Sequence, residues 1–192
     1  MLQLKTVVGR DAILKSVHGA GTNALWYTSD EAMRIEIVKR SDGAGVLRCT
    51  RDDGSITWQK QPKHGAHFAL HDLTHYAVES TLGYRHGFFG LIADGWEIDE
   101  TTGKGARGPL PPEAREVERI VGLFDGERAA GVLWTTVEFN NNAGRKLTEH
   151  EIQRIRAARA ELFQRWFAVP AGEALQLEFD VRLFDLKQEV QQ

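Results

Sequence analysis

The residues best suited to chemistry lie in the run His71-Asp72-Leu73-Thr74-His75-Tyr76-Ala77-Val78-Glu79. Five of the seven histidines fall between residues 64 and 86, around this run. Residues four apart lie on one face of a helix, so the spacing would place His71, His75 and Glu79 together. Two imidazoles at this spacing can chelate one divalent cation, as in the H-E-x-x-H helices of zinc enzymes. The pattern therefore predicts a metal site.

One straight helix cannot supply every ligand of such an ion. A helix rises ~1.5 Å per residue, so His71 and Glu79 would lie ~12 Å apart along its axis, whereas zinc–nitrogen bonds measure ~2 Å. We therefore expect His71 and His75 to bind the ion with at least one ligand from outside residues 71–79. The candidates for this third ligand are His86, which we include in the predicted set, and the alternatives His67 and Glu97.

Two carboxylates of the same run are candidates for proton transfer. A metal ion lowers the pKa of its bound water, and a nearby carboxylate can accept the proton that is released. Glu79 and Asp72 are the predicted catalytic residues, although Glu79 could instead serve as a partner of His75. Asp72 stands where the zinc helices carry Glu and is one methylene shorter. It is also a good N-cap residue, and if it caps the helix, His71 lies just outside it.

A structural role for the same residues is the alternative. Leu70, Leu73 and Ala77 form an apolar side that would pack on a core, which leaves the His/Glu face either in solvent or in a buried hydrogen-bonded network. In such a network His75 donates to Glu79. The pairing is expected to raise the pKa of His75 and to lower the pKa of Glu79.

The stretch from Phe68 to Gly95 also carries a resemblance. Its H-D-L-x-H-x-x-V-E segment is followed by Gly87-Phe88-Phe89-Gly90 and then Gly95, and in this it resembles an uncharacterised family of bacterial proteins. The resemblance covers about 28 residues. It implies a bacterial source and a shared site, but no particular reaction.

The first half of the chain has the pattern of strands. Apolar and polar residues alternate over 33–39, and two β-rich runs, 45–51 and 55–61, flank the turn sequence Asp52-Asp53-Gly54. We predict an antiparallel meander from these runs, joined by a C-terminal strand at 175–181. Residues 2–8 could form a further strand or an arm, and the sequence leaves residues 9–32 unassigned.

The second half has the pattern of helices. We predict helices over 70–82 and 88–94, one that starts at Pro112 and is broken at Asp125-Gly126, a second over 127–140, and one opened by the capping box of Thr148 and Glu151. Four arginines of this last helix are expected to form a solvated, ion-paired face, namely Arg154, Arg156, Arg159 and Arg165. The prediction is a single α+β domain over 1–192, with the sheet packed against a helical second half and a flexible loop at 95–112.

The composition of the chain limits the classes of binding partner that we expect. The 192 residues carry a net charge of -3, which gives no support to nucleic-acid binding. No apolar run is long enough for a membrane span and no signal peptide is visible, so we expect no membrane partner. The single cysteine, Cys49, excludes an internal disulfide and favours a reducing compartment, hence a cytoplasmic location. A small-molecule ligand or substrate and a homodimer are the partners left open.

Two functions follow from the sequence. The first is a metal-dependent hydrolase in which one divalent, zinc-like ion is the only cofactor and activates a water molecule. The second is a non-enzymatic α+β binding or dimerisation module in which the His/Glu cluster holds the fold.

Overall fold

The computed structural model describes residues 32–42, 44–61, 66–103 and 107–182. The predictions for residues 2–8 and for nearly all of 9–32 lie outside these ranges. None of the helices in the described ranges combines the length and apolar character needed to cross a membrane.

A four-stranded antiparallel sheet forms one layer. Its strands are β1 (Met33–Lys39), β2 (Gly45–Thr50), β3 (Ile56–Gln61) and β4 (Ala174–Phe179). They lie in the order β3-β2-β1-β4, so the predicted meander is confirmed and the C-terminal strand joins it beside β1. Alternate residues of each central strand are buried because one face of the sheet packs on the helices. The turn between β2 and β3 contains Gly54 at a positive φ of 81°.

The helices follow the predicted order but differ from the prediction in extent. They are α1 (Ala66–Leu82), α2 (Phe88–Ala93), α3 (Pro112–Ala130), α4 (Thr136–Asn140) and α5 (Glu149–Ala168). Helix α1 starts four residues earlier than predicted, so His71 lies inside it and Asp72 is not its cap. A 3-10 helix, Ile98–Thr102, occupies part of the predicted 95–112 loop.

The predicted break at Asp125-Gly126 is wrong. Helix α3 continues through it to Ala130 and is capped by Gly131, whose φ of 67° is left-handed. The predicted helix over 127–140 is therefore also wrong, because its first turn belongs to α3 and α4 begins only at Thr136. A glycine inside a helix costs only ~1 kcal/mol, and tertiary packing offsets that here. A β-carbon at Gly126 would lie 3.0 Å from the Trp134 ring, and the next carboxylate, Glu127, is buried with the guanidinium of Arg156.

Helix α1 packs against both α3 and α5 above the sheet. The capping box at Thr148 and Glu151 is confirmed. The solvated arginine face of α5 is wrong in part, because Arg159 points inwards and is buried between α1 and α3. The site described next lies where α1 meets α3.

Candidate metal centre

Three side chains converge at the contact between α1 and α3. One ligand atom from each of His71, His75 and Glu118 lies within 4.8 Å of the other two. Helix α1 supplies the two imidazoles at i, i+4, and α3 supplies the carboxylate. His75 is buried, whereas 35 % of the His71 side chain and 47 % of the Glu118 side chain are exposed. The cluster is therefore closed on the core side and open to solvent on the other.

Each imidazole uses Nδ1 to face a carboxylate. His71 Nδ1 lies 2.8 Å from Oδ2 of Asp125, and His75 Nδ1 lies 3.3 Å from Oε1 of Glu79. Carboxylates in this position fix the tautomer and the orientation of metal-binding histidines. They leave Nε2 of each ring for a further partner, and for His75 that atom lies 3.4 Å from Oε1 of Glu118.

The spacing suits a small divalent cation. Ligand atoms held tetrahedrally at ~2.1 Å from zinc lie ~3.4 Å from one another, which matches the pair formed by His75 and Glu118. The group spans up to 4.8 Å, so side chains would have to move inwards by ~1 Å to close on an ion. His71 and Glu118 have room for such movement because both reach solvent.

Glu79 lies behind this cluster, in the core. Its side chain is fully buried and accepts hydrogen bonds from the backbone N–H groups of Phe89 (3.3 Å) and Gly90 (3.1 Å), in addition to its contact with His75. These bonds tie α1 to the first turn of α2. With both oxygens engaged away from the solvent side, Glu79 positions His75 and is poorly placed to act as a base.

The close approach of Glu79 to α2 requires a glycine. A β-carbon built on Gly87 would lie 2.4 Å from Cδ and 2.6 Å from Oε2 of Glu79. Such distances are impossible for real atoms, so any larger residue would push the carboxylate away. The φ of Gly87 is -76°, which any residue can adopt. The need for glycine here is therefore steric and does not arise from backbone conformation.

The imidazole and carboxyl groups of the cluster shift one another's pKa values. Burial acts to lower the pKa of His75, but its hydrogen bonds with Glu118 and Glu79 outweigh burial and raise that pKa to about 10. Burial acts to raise the pKa of Glu118, and the hydrogen bond with His75 outweighs it, so that pKa is lowered. The predicted rise in the His75 pKa is thus confirmed.

The predicted lowering of the Glu79 pKa is wrong. Burial is the largest influence on this group and raises its pKa, even though His75 and the backbone of Gly90 and Phe89 act in the opposite sense. At Asp125 the balance differs. Burial acts to raise the pKa of that carboxyl, but the hydrogen bond and charge of His71 outweigh it and lower the pKa.

Asp72, the other predicted catalytic residue, lies apart from the converging ligand atoms. It is buried and accepts a hydrogen bond of 2.5 Å from Nε2 of Gln61 on β3. Burial raises its pKa to about 6. Asp72 therefore connects α1 to the sheet, and the geometry gives no support to a role in proton transfer.

His86 does not join His71 and His75. Its ring is half-exposed and lies 3.4 Å from a carboxylate oxygen of Glu113 and 3.6 Å from one of Asp94. Among the described residues, the ligand atoms that converge belong to His71, His75 and Glu118. Glu118 therefore takes the place that was predicted for His86. Glu113 of α3 also accepts a hydrogen bond of 2.7 Å from the backbone N–H of His86.

The two alternatives to His86 are also engaged elsewhere. Glu97 pairs with the guanidinium of Arg51 at 3.3 Å. His67 Nδ1 lies 3.1 Å from Nη2 of Arg128. The third converging group does come from outside residues 71–79, but from α3, which the sequence did not indicate for this role.

Sequence reasoning missed Glu118 and Asp125. Both lie on α3, seven residues apart, so they share one face two turns apart. Glu118 lies beside His75, and Asp125 lies beside His71. The order of these contacts along α3 is the reverse of their order along α1. The i, i+7 spacing of two acidic residues beside an apolar stripe was the available signal.

Comparisons of the chain with protein-family models, with curated proteins and with solved structures found no match. The resemblance of residues 68–95 to an uncharacterised bacterial family therefore stays a prediction. What the site can do chemically follows from its own side chains.

The raised pKa of His75 predicts how the metal-free protein responds to pH. The folded pKa of about 10 lies above the unfolded value of ~6.5, so the stabilisation is complete below pH ~6.5 and is lost as pH rises towards 10. Glu79→Gln removes one of the two carboxylates that raise the pKa of His75, so the pKa of His75 is expected to be lower in this variant than in the wild type. Between pH 6.5 and 10 its stability should fall less than that of the wild type.

Urea unfolding in chelator from pH 6 to 10 measures this effect. Glu113→Gln is the matched control, since it removes a carboxylate from the half-exposed His86 and should leave the slope unchanged. Bound zinc reverses the trend, because the ligand must lose its proton and acid releases the ion. Parallel curves for Glu79→Gln and wild type would show that Glu79 does not control the protonation of His75.

Proposed function

We propose that this protein is a metal-dependent hydrolase, in which His71, His75 and Glu118 hold one divalent, zinc-like ion. The convergence of two imidazoles and a carboxylate, with each Nδ1 facing a second carboxylate, is the observation that supports it. Two histidines and a glutamate form a common ligand set of catalytic zinc sites. The substrate would be a small molecule that approaches from the solvent side.

The chain's own residues would have separate tasks in such a site. His71, His75 and Glu118 bind the ion, and Asp125 and Glu79 orient the two rings. When bound, the ion supplies Lewis acidity and a water molecule of lowered pKa. Because that pKa can fall to ~7, the proposal does not need Glu79 or Asp72 as a base.

A structural network is the second candidate, and one observation favours it. The buried carboxylate of Glu79 joins His75 to the backbone of Phe89 and Gly90, so protein–protein hydrogen bonds alone connect α1 to α2 at this point. In that case the protein would be a non-enzymatic binding or dimerisation module. Its cluster would contribute stability and no chemistry.

Zinc titration of metal-free protein separates the two candidates. At pH 7.5 we expect calorimetry to give about one equivalent, and zinc at 100 times its Kd to raise the free energy of unfolding by about 2.7 kcal/mol. Chelator should reverse the gain and abolish any zinc-dependent cleavage of p-nitrophenyl ester or phosphate substrates. Absence of binding, with unchanged melting in chelator, would reject the metal site and support the structural network.

A further inference from the structure

A groove lies between the C-terminal end of α3 and the middle of α5, away from the His/Glu cluster. It has a volume of about 320 Å³, and its lining includes Arg128, Val132, Leu133, Arg159, Ala160 and Phe163. Leu133 is 74 % exposed and Val132 is also exposed. We call this feature the α3–α5 groove. Its size suits a small molecule.

A buried cation forms the base of the α3–α5 groove. Arg159 is only 7 % exposed, and its guanidinium lies 5.1 Å from the ring centre of Phe124 and 5.2 Å from that of Phe163. Nε donates to Oγ1 of Thr74 (3.3 Å) and Nη2 donates to the carbonyl of Phe124 (3.0 Å). Nη1 donates to no group in the described ranges, and it is not one of the buried polar atoms that lack a partner. It is therefore accessible to solvent, on the side where Arg159 lines the groove.

The charge of Arg159 is not balanced by direct contact. Arg156 pairs with the buried carboxylate of Glu127, and Arg128 pairs with Asp125 at 3.4 Å. Within the described ranges no carboxylate oxygen lies within ion-pairing distance of Arg159. Three guanidinium groups line the groove, and two of them pair with Glu127 and with Asp125, which lies outside the lining, so Arg159 is the one left without a carboxylate of the described residues at ion-pairing distance. A buried cation normally requires an anionic partner.

From this arrangement we infer that the α3–α5 groove binds a small monocarboxylate with an apolar body. The carboxylate accepts hydrogen bonds from Nη1 of Arg159, which neutralises the remaining charge. The apolar body lies along Phe163 and under Val132 and Leu133, whose exposed side chains it covers. The inference uses none of the proposed metal ligands, so it stands or falls separately from the metal site.

Three probes of equal length test the charge and the apolar requirement. Octanoate, octanol and octylammonium are titrated into the full chain at pH 7.5, with the methyl NMR signals of Val132 and Leu133 as the readout. We expect octanoate to bind at least tenfold more tightly than octanol, and octylammonium not to shift these signals. Equal binding of octanol and octanoate, or no shift of these methyl signals with octanoate, would overturn the inference.

A pair of variants on α5 localises the binding. Ala160→Glu places a carboxylate in the groove, and Ala157→Glu adds the same charge at an exposed position of α5 that does not line it. Both positions are exposed and helical, so both variants should fold. We expect Ala160→Glu to weaken octanoate binding at least tenfold and Ala157→Glu to change it less than twofold. Equal effects of the two variants would show that octanoate binds outside the groove or responds only to net charge, and would overturn the inference.

Discussion

Replacing Glu118 by glutamine is expected to weaken zinc binding by more than about 100-fold. Loss of a residue that only orients a ligand typically costs about 10–100-fold, and loss of a ligand should cost more. Glu118 is half-exposed, so the fold should persist and the effect should be local. His75→Ala removes a second ligand and should abolish binding. Because His75 is buried, circular dichroism must first confirm that this variant folds.

His86→Ala is the matched control for both ligand variants. The sequence predicted His86 as a ligand, whereas the structure places its ring against Glu113 and Asp94. We expect this variant to keep its zinc affinity within about twofold. Calorimetric titration of the three variants therefore tests the position of the site. Retention of full affinity by Glu118→Gln, or its loss in His86→Ala, would contradict the proposed ligand set.

Replacing Gly87 by alanine is expected to lower the free energy of unfolding by about 3 kcal/mol or more. The new methyl group would overlap the carboxyl of Glu79, so the side chain or α2 has to move. Overpacking of a core typically costs about 1–3 kcal/mol. Displacement of Glu79 also breaks its bonds to Phe89 and Gly90 and leaves a buried carboxylate with fewer partners, which adds to that cost.

Gly122→Ala provides the control for a change of the same size. Gly122 lies inside α3, and a β-carbon added there would meet no other atom within 4 Å, so alanine should stabilise the helix by about 0.5–1 kcal/mol. Urea unfolding of both variants at pH 7.5 measures the contrast. A Gly87→Ala protein as stable as the wild type would show that Glu79 does not lie against α2.

These variants also separate the two proposed functions. Gly87→Ala destabilises the protein under both functions, because Glu79 lies on the core side of His75. Under the structural network, zinc stabilises neither the wild type nor Glu118→Gln. Under the metal site, zinc stabilises the wild type but not Glu118→Gln, because Glu118 is a ligand on the solvent side of His75.

The sheet and the longest helix could be predicted from the sequence because their signals are local. Alternating apolar residues define strands, and the Asp52-Asp53-Gly54 turn fixes how β2 and β3 pair. Thr148 and Glu151 satisfy the first backbone N–H groups of α5 whatever surrounds the helix. The i, i+4 spacing of His71 and His75 is likewise a property of one helix.

Tertiary packing determined which groups meet these histidines. His71 and Asp125 are 54 residues apart in the chain, and no local pattern states that α1 and α3 lie side by side with those residues in register. Tertiary packing also allowed α3 to continue through Gly126 and placed the Arg159 side chain in the interior, although the local sequence favours a helix end and an exposed arginine. The sequence by itself determined the helix that presents the imidazoles. The choice of Glu118 in place of His86 depended on the packing of α3 beside the two histidines. The burial that raises the pKa of Glu79 depended on the packing of α1 in the core and against α2.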